Sequence, residues 1–263
     1  MPLVSIVTPV YNAARWLPET LASVRAQTFT DWEHLLVDDG STDDSAAMIA
    51  LAAARDPRIR LLRTPQNSGP SAARNRALDA AQGRFIALLD ADDLWLSEKL
   101  ARSVEWMNAK GYAFIYHDYR YISHDGARSG CLVRAPETLN LYTLLTQRGV
   151  GCMSIVLDRE QIGHFHFPVD CPYLHEDFCA WLGLVREGHI GHRLPADLGR
   201  YRLSPHSRSS DKLHAAHETW RIYRDLSGLP WSRAAHWWLH YAWNSFWLHR
   251  HAKPRLRIPV TTL

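Results

Sequence analysis

The feature that most constrains this chain is a rhythm. From residue 3 to residue 122, short apolar runs alternate with stretches of helical spacing: "LVSIVTPV", 15–27, "HLLVDDG", 43–54, "IRLLRTP", 70–82, "FIALLDADD", 97–109 and "AFIYHDYRYI". Strands that take turns with helices build βαβ units, so the expected fold class is α/β, a mainly parallel sheet flanked by helices. The runs end in polar residues: Thr8-Pro9, Asp38-Asp39-Gly40, Thr64-Pro65-Gln66-Asn67 and Asp90-Ala91-Asp92-Asp93. Open α/β sheets bind ligands beyond the carboxyl ends of their strands, so these ends are expected to converge on one site.

Beyond residue 125 the rhythm loosens. Residues 136–149 read as a helix, 153–160 as a strand and 177–188 as a helix closed by Gly188, and the chain after 210 reads as helical with a break at "SGLPWS". The expected organisation is a domain over 1–210, with halves at 1–115 and 116–210, followed by a helical extension over 211–263. A chain with 46% hydrophobic and 22% charged residues is globular, and a net charge of +3 gives no reason to expect a nucleic-acid partner. Cys131, Cys152, Cys171 and Cys179 form no C-x-x-C pair and no zinc spacing. A reduced, cytoplasmic protein is the simplest expectation. Pro9, Asn12 and Arg15 interrupt what would otherwise resemble a signal peptide, and no apolar run is long enough to span a bilayer.

In "FIALLDADDLW" a strand-like run ends in three carboxylates within four positions. Two unit charges about 5 Å apart repel by roughly 3 kcal/mol at an effective dielectric near 20, so such a cluster needs a cation, an arginine or full solvation. On an extended backbone Asp90 and Asp92 point to one side and Asp93 points away or opens the next helix. That pair suits a hard cation which completes its shell with water and substrate phosphates; the plainer reading is a helix cap with solvated neighbours.

Four motifs occur in order: "TPVYN" at 8–12, "VDDGSTDDS" at 37–45, "NSGPSAARNRAL" at 67–78 and "LLDADD" at 88–93. Together they resemble the family 2 glycosyltransferases, whose fold is the nucleotide-diphospho-sugar arrangement called GT-A. The resemblance continues through "GHF" at 163–165, "HEDFCAW" at 175–181 and "YRLSPHSRS" at 201–209. It implies that Thr8, Pro9, Tyr11, Asp38, Asp39, Asn67, Arg74 and Asp90 bind the donor. It also implies that Asp90, Asp92 and Asp93 hold Mn2+ or Mg2+, that Asp177 is the catalytic base, and that Glu176 orients it or binds acceptor. For Arg74, diphosphate and the acidic cluster are both open as partners. The implied activity is inverting, hexosyl-type transfer from a nucleotide-diphosphate sugar, with UDP the expected nucleotide. The acceptor is a hydroxyl of a glycan or lipid-linked molecule in cell-surface polysaccharide synthesis. A catalytically inactive nucleotide-sugar-binding or scaffolding protein is the alternative. Two positions depart from the family's pattern, Gly183 where Arg is frequent and Ser204 where His is frequent.

Residues 231–257 are rich in Trp, His and Arg. At helical spacing Trp231, Ala235, Trp238, Ala242 and Phe246 share one side, which suits packing against the catalytic domain or a second copy. Peripheral contact with the inner face of the membrane is the other expectation for this tail.

Overall fold

The computed structural model describes residues 1–147, 149–170, 176–203, 212–225, 230–251 and 258–259. The elements run β1 (Val4–Val10), α1 (Leu17–Arg25), β2 (Trp32–Asp38), α2 (Ser45–Arg55), β3 (Ile59–Arg63), α3 (Gly69–Ala80), β4 (Phe85–Leu88), β5 (Leu94–Trp95) and α4 (Lys99–Lys110). There follow β6 (Phe114–Ile122), β7 (Arg128–Val133), β8 (Thr138–Leu139), α5 (Leu141–Thr146), a 3-10 turn at Cys152–Ser154, β9 (Val156–Asp158), α6 (Arg159–Ile162) and α7 (Glu176–Arg186). The last are β10 (Gly191–Arg202), α8 (Lys212–Asp225), α9 (Trp231–His251) and β11 (Ile258–Pro259).

The expected parallel sheet is the block β3-β2-β1-β4. Past β4 the pairing turns antiparallel through β9 to β6, and β6 then carries β7 antiparallel and β10 parallel. Side chains alternate across these strands as a pleat requires. Val4, Ile6, Leu36, Phe85 and Ala87 face a core closed by Leu17 and Leu21 of α1, Ile49 of α2, and Leu100, Val104 and Met107 of α4. Val7, Leu35, Val37, Ile86 and Leu88 face a second core closed by Ala73 and Ala77 of α3 and by Ala180, Trp181 and Leu184 of α7.

Local chemistry explains the helix ends. Pro18 opens α1 and Pro70 opens α3, at positions where a missing N–H costs nothing. Gly111, at φ 68°, stops α4, and Asn140 caps α5 by accepting from the Thr143 N–H. Gly188 adopts φ 94° just past α7, as its position in the sequence suggests.

Strand β10, "GHRLPADLGRYR", is the element least visible in the sequence. Pro195 interrupts its alternation, and its register against β6 slips twice, between Leu194 and Asp197 and between Asp197 and Gly199. Its charges are met laterally: Asp197 takes Arg120 at 2.7 Å and Arg200 at 2.6 Å. The first half of the "SGLPWS" break, 227–229, lies outside the described residues, and its second half runs into the start of α9.

Candidate active site

The loops after the first three parallel strands are laced to one another. After β1 the chain turns at Asn12 with φ 50°, and its Oδ1 accepts from the Thr42 backbone N–H (2.8 Å) and hydroxyl (3.2 Å). The N–H of Ala13 donates to Ser45 Oγ (2.9 Å) and that of Ala14 to Asp43 Oδ2 (3.0 Å). The loop after β2 is tied onward by Asp39, which accepts from Thr64 Oγ1 (2.6 Å) and from the N–H groups of Ser68 (3.0 Å) and Gly69 (2.8 Å) at the start of α3. Gly40, at φ 77°, lets the loop after β3 pass closely, since a Cβ there would stand 3.1 Å from the Asn67 nitrogen.

Between β4 and β5 the three aspartates lie in a turn, with the Asp93 N–H donating to the Asp90 carbonyl (3.2 Å). This corrects the extended geometry expected for Asp90 and Asp92. Nor does Asp93 open a helix, because β5 intervenes and α4 begins only at Lys99. The turn is clamped on both sides. Thr20 of α1 donates to the carbonyls of Ala91 (2.8 Å) and Asp93 (3.1 Å). From β10, the Arg202 N–H donates to Asp93 Oδ1 (2.8 Å), and its guanidinium reaches the Asp92 carbonyl (2.7 Å) and Glu19 (2.7 Å). With a fully buried side chain, Arg202 is a strut for the acidic loop.

Arg74 joins the two ends of the site. It is 5% exposed and its guanidinium meets Asp90 at 2.7 Å and Glu176 at 3.3 Å, over the face of Phe167. It thus meets the acidic cluster, one of its two expected partners. Cys152 lies near enough to feel the charges of Arg74, Asp90, Asp177 and Glu176, and burial pushes its thiol well up. Asp177 sits in the first turn of α7, where the helix dipole favours an anion, and Glu176 beside it is buried.

The remaining carboxylates carry unmet charge. Burial, then the neighbouring Asp90, pushes the Asp92 carboxyl up to about 6; burial, then Asp92 and Asp90, pushes Asp93 up as well. Asp93 Oδ2 is buried with no hydrogen-bond partner. An orphaned carboxylate oxygen beside two further acids is the environment a hard divalent cation relieves, so the residues fit one. Among the described residues no group of three or more side chains is arranged to hold a metal ion by itself.

The other candidates divide by accessibility. Thr8 is fully buried in β1 with its hydroxyl 2.9 Å from His34 Nε2, so its side chain does not reach the loop surface. His34 is itself enclosed, and burial lowers its pKa to about 3, leaving a neutral imidazole. Pro9 is half-buried, Tyr11 is 52% exposed and Asn67 is exposed, whereas Asp38 and Asp39 are buried in the loop network. Asn12, Thr20 and Cys152 are functional neighbours that the motifs did not single out. Asn12 stands inside "TPVYN" and was visible; Thr20 and Cys152 carry no local signal. The "GHF" stretch lines a cavity of about 210 Å³ with Leu78, Asp79, Arg159, Ile162 and His166, and its Phe165 packs on Phe167, the ring beneath Arg74. Ser204, Ser207, Arg208 and Ser209 lie outside the described residues.

A mainly parallel sheet flanked by helices, with an acidic turn after β4, is the GT-A fold. A mannosyltransferase from Pyrobaculum calidifontis, solved in complex with GDP-Man and Mn2+, shares the fold: its TM-score is 0.66 at 20% identity, over 87% of this chain and 65% of that one. The chain belongs to glycosyltransferase family 2, since the model described as Glycosyl transferase family 2 matches residues 5–150. TuaG of Bacillus subtilis, named for teichuronic acid biosynthesis, is 36% identical over 93% of this chain and 96% of its own. WfgD of Escherichia coli, named as a UDP-Glc:alpha-D-GlcNAc-diphosphoundecaprenol beta-1,3-glucosyltransferase, is 35% identical over 88% and 89% respectively.

Proposed function

We propose that this glycosyltransferase moves a sugar from a UDP-linked donor to a hydroxyl of a lipid-linked or glycan acceptor, with inversion, in cell-surface polysaccharide synthesis. The observation that carries the reading is the Arg74 bridge, which sets the Asp90 end of the acidic turn and the Glu176–Asp177 pair on two sides of one site. The names of two relatives support the donor and acceptor classes, one citing UDP-Glc and a diphosphoundecaprenol-linked sugar, the other teichuronic acid.

In this reading Pro9, Tyr11, Asn67 and the loop held by Asp38 and Asp39 receive the nucleoside, while Thr8 and His34 brace β1 beneath them. Asp177 accepts the proton of the acceptor hydroxyl as that oxygen bonds to the anomeric carbon from the face opposite the leaving group. The bond from that carbon to the diphosphate oxygen breaks, and the electron pair leaves on the nucleoside diphosphate. Glu176, held by Arg74, fixes the start of α7 so that Asp177 faces the acceptor. Asp90 and Asp92, with Asp93 behind them, are the residues that would hold Mn2+ or Mg2+, whose charge offsets that of the diphosphate; the Mn2+ bound to the archaeal mannosyltransferase supports this assignment.

The test is Asp177→Asn, assayed with a panel of nucleotide-sugars and a lipid-diphosphate-linked acceptor. Transfer is expected to fall by about a thousandfold or more while donor binding, read by thermal shift, persists. Retained transfer would remove Asp177 as the base, and no transfer by the unaltered chain from any donor would favour a nucleotide-sugar-binding scaffold.

A further inference from the structure

The C-terminal helical hairpin has two different faces. On its inner face, Ala234 and Tyr241 of α9 pack with Ile222 and Tyr223 of α8 and Leu145 of α5 into one buried cluster, which Phe178 and Cys179 of α7 also join. Thr219 of α8 donates to the Tyr241 hydroxyl (3.1 Å), and the Tyr223 hydroxyl donates to the Leu145 carbonyl. The stripe expected from spacing is rotated but overlaps the packed side: Ala234 and Tyr241 centre that side, Trp238 packs against it, and Trp231, largely exposed, meets Trp220 edge-on at its margin.

The outer face is apolar where a solvated helix would be polar. Trp231, Leu239 and Trp243 are 66%, 62% and 62% exposed. At 3.6 residues per turn they fall within a sector of about 120°, and the exposed His236, His240 and Arg233 occupy the adjoining sector. Tyr142 of α5 packs its ring against Trp237, on the side of α9 away from this sector. No helix among the described residues is long and apolar enough to cross a membrane, so such a face can lie on a bilayer but not span it.

We infer that the outer face of α9 seats on the surface of an anionic phospholipid bilayer. Tryptophan favours the headgroup region, where its ring is apolar and its N–H wet, and the flanking guanidinium of Arg233 complements anionic headgroups. The opposite face is committed to the protein, so seating α9 costs none of its internal packing. The hairpin shares its core with α7, the helix that begins with Glu176 and Asp177, so a seated α9 holds the proposed base at a set height above the bilayer. This purpose, though not the binding itself, rests on the lipid-linked acceptor reading above.

The test is flotation of the full-length protein with phosphatidylcholine vesicles, with and without phosphatidylglycerol and with no sugar-lipid present, so its outcome is independent of any transfer assay. The protein is expected to float with the phosphatidylglycerol vesicles, and Leu239→Gln/Trp243→Gln to float at least about tenfold less. Leu239→Glu, which puts a negative charge on the same face without touching a tryptophan, is expected to do the same with an unchanged melting temperature. Failure of the unaltered protein to float, or flotation of the folded Leu239→Glu variant equal to it, would overturn the inference. So would light scattering that shows a dimer which Leu239→Glu converts to a monomer, because the face would then belong to a second copy.

Discussion

Asp92 lies half-buried between Asp90 and Asp93, and burial together with the Asp90 charge lifts its carboxyl to about 6 from an ordinary 3.8. In the unfolded chain it ionises near the lower value. Between the two, the folded protein keeps a proton that the unfolded one has lost, so this group favours the folded state in acid and loses that contribution as pH rises through about 6. Metal-free protein should accordingly lose melting temperature between about pH 4 and about pH 6, and Asp92→Asn should shrink that loss. Calorimetry in chelator measures both; an identical pH dependence in the variant would show that the turn is not under charge strain. Asp93 shares the direction of shift, but its Oδ1 is committed to the Arg202 N–H, so Asp92 is the cleaner probe.

Helices and loops gain their fixed arrangement from a few buried polar struts. Arg74 runs from α3 to the turn after β4 and to α7, and Arg202 runs from β10 to that turn and to α1. Arg74→Met removes one partner from two buried or half-buried acids and should cost about 3–5 kcal/mol in urea unfolding. A loss well under about 1 kcal/mol would mean that Asp90 and Glu176 are satisfied without it. Arg74→Lys keeps the charge but not the planar fork, so it should restore only part of that stability. The sequence announced Arg74 through "NSGPSAARN" and left its partner open, because which acid meets a guanidinium depends on contacts 16 and 102 residues away in the chain. Strand β10 escaped for a related reason: its proline, its bulges and its lateral Asp197 pairs erase the period-2 pattern.

At the scale of the molecule, the parallel half was legible because each strand there is a continuous apolar run closed by a motif. Val4–Val10, Trp32–Asp38 and Phe85–Leu88 are nearly wholly buried, and burial on both faces makes their residues mostly apolar, with the few polar ones, such as Ser5, Glu33 and His34, bonded inside. The second half joins the long β6 and β10 to short additions, and β5, β8 and β11 are only two residues long, which no sequence period can mark. Of the site, residue types and loop placement were legible, whereas the turn at Asp90–Asp93, the burial of Thr8 and the clamps from Thr20 and Arg202 emerge only when distant elements pack. The resulting molecule concentrates uncompensated negative charge at one place on its rim, beside the loops proposed to hold the nucleoside. The central claim is that a divalent cation and a nucleoside diphosphate meet there. Calorimetric titration of the full-length protein with UDP, in Mn2+ and again in EDTA, tests it most directly. The account predicts binding in Mn2+ that weakens by at least about tenfold in EDTA and likewise in Asp92→Asn. Equal affinity for UDP under all three conditions would contradict it.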